Sequence, residues 1–195
     1  MKRLFDILFS TLGILFLLPI MFVIAILIKI FSDTPVLFKQ RRVGLNENLF
    51  TLYKFCTMNS SIESQFLHLT TRDDPRITEI GSILRKWKLD ELPSLFNVLK
   101  GDLSFVGPRP WLKHYIDKLN HNEKQFLKIK PGITSPATLK YSKEEYLLSG
   151  KEDPESYHDK YILPDKVKLN LMYFEDNNLL SDLIIILKTV FRRNY

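Results

Sequence analysis

Residues Ile7 to Ile28 form an uncharged, mostly apolar stretch, preceded by Lys2, Arg3 and Asp6 and followed by Lys29. About 20 such residues suffice to cross a bilayer, so membrane insertion is the expectation. The length of the run, and the lack of a small-residue cleavage site after it, disfavour a signal peptide. Pro19 sits near the middle, where it removes a backbone donor and obstructs the carbonyl of Leu15, which predicts a kink or break. Basic residues stand on both sides, Lys2 and Arg3 before and Lys29, Lys39, Arg41 and Arg42 after, so the positive-inside rule keeps both ends cytoplasmic. A helix that enters one leaflet, bends at Pro19 and returns satisfies that rule. A kinked span is the alternative, because prolines are common in spanning helices.

From Thr34 the pattern changes. Pro35 to Gln40 and Leu49 to Phe55 are rich in strand formers, with a turn-like Gly44-Leu45-Asn46-Glu47-Asn48 between them, which predicts a hairpin. Ser60 to Thr71 is polar and reads as a helix or mobile connection. Asp73-Asp74-Pro75-Arg76 is an acidic turn leading into a helix over Ile77 to Trp87. It suits a turn-and-cap role better than magnesium ligation. Leu92, Leu95, Phe96 and Leu99 recur at helical spacing up to a stop at Gly101. Trp111 to Lys128 reads as an amphipathic helix, and Lys130 to Thr134 as a turn. Near the end, Leu179, Leu180, Leu183, Ile184, Leu187, Val190 and Phe191 mark one apolar helical face, with Lys188, Arg192 and Arg193 at its end. This face suits a core helix or a membrane-interface helix, and is too short and charged for a second span.

Composition narrows the classes. A chain of 195 residues, 45% hydrophobic and 26% charged, is globular and can bury one core. Its formal charge of +6 calls for an anionic partner: nucleic acid, anionic lipid or a phosphorylated substrate. A single cysteine, Cys56, excludes an intramolecular disulfide and multi-cysteine zinc sites. His114 and His121 lack the spacing of paired zinc ligands, and His68 and His158 complete no chelating pattern. With 7 glycines, no P-loop, no GxGxxG and no GxSxG, the chain is a poor kinase, ATPase, Rossmann dehydrogenase or serine hydrolase.

The densest chemistry lies in KWKLDELPSLFNVLKGDLSFVGPRP, Lys86 to Pro110. Asp90 and Glu91 sit between a basic cluster (Arg85, Lys86, Lys88) and a rigid Gly107-Pro108-Arg109-Pro110 turn. Asp90 ahead of Glu91, Leu92 and Pro93 is a strong helix-start signal, and so reads as a cap worth about 1 kcal/mol. The same carboxylate, kept ionised by its cations, suits nucleophilic attack or divalent-cation binding. Arg109, aimed by two prolines, suits phosphate.

This segment resembles the signature of the bacterial sugar transferases, the monotopic phosphoglycosyl transferases that begin glycan assembly on polyprenol phosphate. KRLFDILFSTLGILFLLPI, VLFKQRRVG, YKFCTM, DDPRITEIGSILRK and KPGIT extend the resemblance over most of the chain. It implies an α/β fold, mostly helical with a small hairpin: a re-entrant membrane helix over 1–32, a cytoplasmic catalytic domain over 33–195, and amphipathic helices at the interface. It further implies a sugar 1-phosphate passing from a UDP-sugar through Asp90 to undecaprenyl phosphate, with release of UMP, at the cytoplasmic face of the bacterial inner membrane. Mg2+ is the implied cofactor, with Asp90 and Glu91 as its candidate ligands; Glu91 is equally a candidate to assist the lipid phosphate. Arg85 and Arg109 are the implied phosphate clamps, and Lys54, Arg41 and Arg42 belong to the phosphate and membrane surface.

Three positions depart from the family's pattern. Leu18 stands where many relatives have serine, and Cys56 where they have lysine or arginine. The segment after Thr134 differs from a Gly-Arg form common in the family, and leaves the roles of Lys140, Tyr141, Glu144 and Glu145 open. The partners expected are the UDP-sugar, undecaprenyl phosphate and the bilayer, with a homodimer as a candidate assembly and no nucleic acid. Two rivals remain. A membrane-tethered polyanion binder explains the charge but not acids inside a basic cluster, and a catalytically inactive scaffold predicts no turnover with any donor.

Overall fold

A computed structural model describes residues 1–59, 69–71 and 74–191 of the chain. Ser60 to His68, within the polar connection, together with Asp73, Arg192 and Arg193, lie outside the described residues. The elements run α1 (Lys2–Phe31), β1 (Leu37–Val43), β2 (Leu49–Phe55), α2 (Glu79–Lys86), α3 (Ser94–Lys100), β3 (Ser104–Val106), α4 (Lys113–Asp117), β4 (Gly132–Thr134), α5 (Pro136–Lys140), α6 (Glu144–Ser149), α7 (Pro154–Tyr157), α8 (Leu163–Asp176) and α9 (Leu179–Phe191). The chain is mostly helical, with an antiparallel β1–β2 hairpin and a short parallel β3–β4 pair.

Of the kink or break expected at Pro19, a break does not occur: α1 continues through it to Phe31. The helix exposes Pro19 on the same side as Leu15, whose carbonyl the ring obstructs. The buried positions Asp6, Ser10, Met21, Ile24 and Ile28 form one stripe along its length. That stripe lies on the rest of the protein at both ends. Near the start, Arg3 donates to the carbonyls of Val98 (2.6 Å) and Leu99 (2.7 Å) at the end of α3, a cation placed on a helix C-terminus. Asp6 accepts from the Ser104 hydroxyl (3.0 Å) and the Phe105 amide (3.1 Å) of β3. Towards the other end, Met21, Ile24 and Ile28 pack with Phe55 and Leu84. The opposite face carries Leu8, Leu12, Leu15, Phe16, Phe22 and Val23, all exposed.

Asp6 is buried, so replacing it by alanine leaves a buried hydroxyl and a backbone amide without an acceptor. Asp6→Ala is expected to cost roughly 2–4 kcal/mol. A lowered denaturant midpoint in detergent checks this, and an unchanged midpoint refutes the docking role.

The hairpin forms as expected, with Leu37 opposite Phe55 and Val43 opposite Leu49. The main core packs Val43 with Trp111, Tyr115, Ile116, Phe126, Leu127, Leu163 and Val167, joining the hairpin to α8. Two expectations are corrected here. Residues 111–128 do not form one helix: α4 ends at Asp117, and a separate 3-10 turn spans Glu123–Lys128. The expected turn at 130–134 contains β4, which pairs in parallel with β3. That pairing needs glycine on both sides, since a Cβ on Gly107 would lie 2.3 Å from the Lys130 carbonyl oxygen and one on Gly132 would lie 2.1 Å from the Gly107 nitrogen.

The final helix is not buried as a core helix, and most of its apolar face is exposed. In α9, Leu180 is 70% and Phe191 73% exposed, while Asp182 and Ile185 are buried. Lys2 of α1 fixes it by donating to Asp182 (2.7 Å) and to the Tyr173 hydroxyl (2.8 Å). The apolar faces of α1 and α9 are thereby held on one body.

Candidate active site

Between α2 and α3 the chain reverses at Lys88, whose φ of 54° is left-handed, and enters a 3-10 turn over Leu89–Glu91. Asp90 is therefore not the cap of α3. Pro93 takes the position before the helix, and the Ser94 hydroxyl donates to the Glu91 carbonyl (2.6 Å). Asp90 points inward, 7% exposed, and its Oδ1 finds no hydrogen-bond donor among the described residues. A buried carboxylate oxygen left in this state is costly unless something else completes it. Burial raises the Asp90 pKa, and Glu91 adds to the rise, against the opposing pull of Lys54, Lys88 and Arg85.

Glu91 has the opposite environment. Its Oε1 accepts from Lys54 Nζ (2.7 Å) and Arg109 Nη2 (2.5 Å). Burial alone would raise its pKa, but Arg109 and Lys54 overcome that and hold it well below the usual range. Arg109 is correspondingly held more firmly protonated by Glu91. Asn97 sets the spacing of this trio. Fully buried on α3, it donates to the Thr51 carbonyl (2.7 Å) and accepts from the Tyr53 amide (3.0 Å), which stitches α3 to β2 one residue before Lys54. The β3–β4 pair carries Arg109 in from the other side, and the Gly132 amide secures the turn by donating to the Pro108 carbonyl (2.9 Å).

The predicted cations separate into three groups. Lys54 and Arg109 meet on Glu91. Arg42 joins them: it lines the same small cavity, of about 20 Å³, with Lys54, Glu91, Ser94 and Arg109. Its Nη1 donates to the Pro110 carbonyl (3.2 Å) and its Nε to Gln40 (2.9 Å). Burial and Arg109 lower Arg42 to about 10, so it stays a cation at neutral pH. Arg85 borders Asp90 but is ion-paired with Glu145 and also donates to Met58 Sδ (3.7 Å). Arg41 is exposed, and strand alternation places it on the face opposite Arg42, so it is not brought into this cluster.

Cys56 is buried and donates to the Met58 carbonyl (3.3 Å), leaving Lys54 as the nearby cation of β2. Asp74 is engaged by Arg76 (2.7 Å) in a turn, and the question of metal binding at Asp73 lies outside the described residues.

Three groups near the site carried no signal in the sequence. Lys166 on α8 is 16% exposed and binds both oxygens of Glu144 (2.7 and 2.6 Å). His158 Nε2 lies 3.6 Å from the same carboxylate. The hydroxyl of Tyr115 is buried without a hydrogen-bond partner among the described residues. No local pattern singles them out, and tertiary packing alone brings them together.

The arrangement can offer one unpaired carboxylate oxygen to an electrophile or a cation, within a basic rim fit for phosphates. The profile of the bacterial sugar transferase family matches residues 1–193. The chain belongs to that family. It is 32% identical over 192 residues to the UDP-N-acetylgalactosamine-undecaprenyl-phosphate N-acetylgalactosaminephosphotransferase of Aeromonas hydrophila, covering 97% of this chain and 42% of the relative. It is 32% identical over 195 residues to the UDP-glucose:undecaprenyl-phosphate glucose-1-phosphate transferase of Escherichia coli K12, covering 98% and 40%. Against the exopolysaccharide production protein ExoY of Sinorhizobium fredii the identity is 32% over 204 residues, covering 97% and 83%. The chain thus spans about two-fifths of the length of the first two relatives and most of the third.

As a member of the bacterial sugar transferase family, the chain raises the question of a divalent cation. Among the described residues, no three His, Cys, Asp or Glu side chains converge as a metal cage. Magnesium needs no such cage, since it is held by one or two carboxylates together with substrate phosphates. The free Oδ1 of Asp90 fits that demand, whereas Glu91 would first have to give up Lys54 and Arg109.

Proposed function

We propose that this sugar transferase moves a sugar 1-phosphate from a UDP-sugar to undecaprenyl phosphate, giving undecaprenyl-diphosphate sugar and UMP. The observation that carries the reading is the split of the acid pair, with Glu91 neutralised by two cations and Asp90 buried with a free oxygen. A carboxylate oxygen of Asp90 attacks the phosphorus that bears the sugar, and the bond to the UMP oxygen breaks, leaving an acyl phosphate. An oxygen of undecaprenyl phosphate then attacks the same phosphorus, and the carboxylate of Asp90 leaves unchanged. Arg109 and Arg85 offset the charge of the diphosphate, and Glu91 holds Arg109 in place. Magnesium, bound by Asp90 and the donor phosphates, would supply further neutralisation.

The membrane side of the reading rests on α1. A helix with a buried stripe fixed to one body near both ends, and an apolar face outward, suits insertion into one leaflet over residues 1–32, with residues 33–195 at the cytoplasmic face of the bacterial plasma membrane. The apolar face of α9 extends the same contact surface. Shallow insertion brings the acceptor's phosphate to the level of Asp90 and removes a search in three dimensions.

The test is UMP release by the protein in nanodiscs, with magnesium, undecaprenyl phosphate and a panel of UDP-sugars. Release with one donor and in proportion to the lipid is expected. Release without the lipid would indicate a hydrolase, and silence across the panel from folded protein would favour the scaffold.

A further inference from the structure

Three cations at or near the site already carry a carboxylate of the chain itself. Arg109 holds Glu91, Arg85 holds Glu145 and Lys166 holds Glu144. The last two acids are consecutive residues of α6, anchored by Leu148, which is buried among Leu69 and Ile162. Glu144 presents both oxygens to the Lys166 ammonium, as a phosphate would. Arg109 lies within electrostatic range of both Glu144 and Lys166. The Tyr115 hydroxyl, without a hydrogen-bond partner among the described residues, is close enough to Arg42 and Glu144 to feel both charges. Burial pushes it up to about 12, which keeps it a hydrogen-bond donor at neutral pH.

The two acids differ from Glu91 in what holds them. Glu91 is 14% exposed between two cations, while Glu144 and Glu145 each hold one ammonium or guanidinium and are 23% and 39% exposed. A diphosphate carries anionic oxygens on both of its phosphates, and so can satisfy cations that now hold two separate carboxylates.

We propose that Lys166 is a binding residue for the diphosphate of the donor, and that Glu144 and Glu145 are intramolecular stand-ins for its two phosphates, displaced when the donor binds. This rests on the transferase reading above for the identity of the diphosphate. Donor affinity is then set by competition with the chain's own acids, and the apparent dissociation constant is raised by the fraction of molecules in which they occupy the cations.

The test is calorimetric titration of the full chain in nanodiscs, with magnesium, using UDP and separately inorganic pyrophosphate. Glu144→Gln with Glu145→Gln is expected to tighten both ligands about tenfold. Lys166→Met should weaken both, and Lys166→Arg should stay near wild type. Because Lys166→Met leaves Glu144 half-buried and unpaired, the neutral pair E144Q/K166M is compared with E144Q alone, and should bind more weakly. Unchanged or weaker binding by the Glu144/Glu145 double variant overturns the proposal, as does a K166M or E144Q/K166M protein that binds as tightly as its parent. The two readings separate cleanly. A wild type inert toward every UDP-sugar, with pyrophosphate still tightened by the double variant, removes the transferase reading and keeps the stand-ins. An active wild type with no tightening does the reverse.

Discussion

Asp90→Asn is expected to abolish UMP release while making the protein more stable. Loss of a nucleophile that no neighbour can replace should lower turnover by about 10⁴-fold or more. The stability gain follows from the site's physics. Burial raises the folded-state pKa of Asp90 above its unfolded value, so between the two values the native state holds more protons. Stability therefore falls as pH rises through that window and stays reduced at neutral pH. The neutral amide removes this penalty. In chelator, where no cation can complete Oδ1, the apparent melting temperature of Asp90→Asn should exceed that of the wild type, by roughly 2–4 °C for each kcal/mol recovered. An inactive variant that is also less stable would instead make Asp90 a structural acid, and the loss of activity would say nothing about a nucleophile. The trade of stability for function expected here is common at reactive centres.

How much of this was legible beforehand depends on the range of the interaction. The hairpin and α2 follow from short-range pattern and turn chemistry, and form close to where the sequence places them. The cap reading of Asp90 failed because Lys88 takes a left-handed conformation, which starts a separate turn and swings the carboxylate inward; local preference gave no sign of that. The long helix expected over 111–128 is interrupted where Asn120 accepts from the amides of Asn122 (2.9 Å) and Glu123 (3.0 Å), a side-chain turn that competes with the helix. The β3–β4 pair escaped notice because parallel strands are joined across 25 intervening residues and each is three residues long.

At the site, Lys54 and Arg42, which the family resemblance singles out, converge with Arg109 of the Gly-Pro-Arg-Pro turn, whereas Arg41 falls on the other face of the same strand as Arg42. Glu144, Glu145 and Lys166 lie in a segment without a recognisable pattern, and 22 residues separate Glu144 from Lys166. Their pairing depends on tertiary contacts, among them the burial of Leu148 of α6 against Leu69 and Ile162, that no local signal encodes.

Glu91→Gln should move stability the other way from Asp90→Asn, although the two residues are adjacent. Glu91 has a folded pKa well below its unfolded one, so its contribution is present above the unfolded value of about 4.3 and is lost as pH falls through the folded value. At neutral pH, removing its charge leaves Lys54 and Arg109 facing each other across a buried amide. Breaking one partner out of a buried charge cluster costs about 3–5 kcal/mol, and the loss should be clear in denaturant titrations. Part of it should return in the double variant Lys54→Met with Glu91→Gln, because one of the two stranded cations is gone. The double-mutant cycle then reads the coupling directly. If Glu91→Gln stabilised the protein as Asp90→Asn does, the acid pair would have to be read as two like charges sharing one site, and the division into a locked carboxylate and a free one would be wrong. Opposite signs at neutral pH, converging as acid protonates both groups, would support that division.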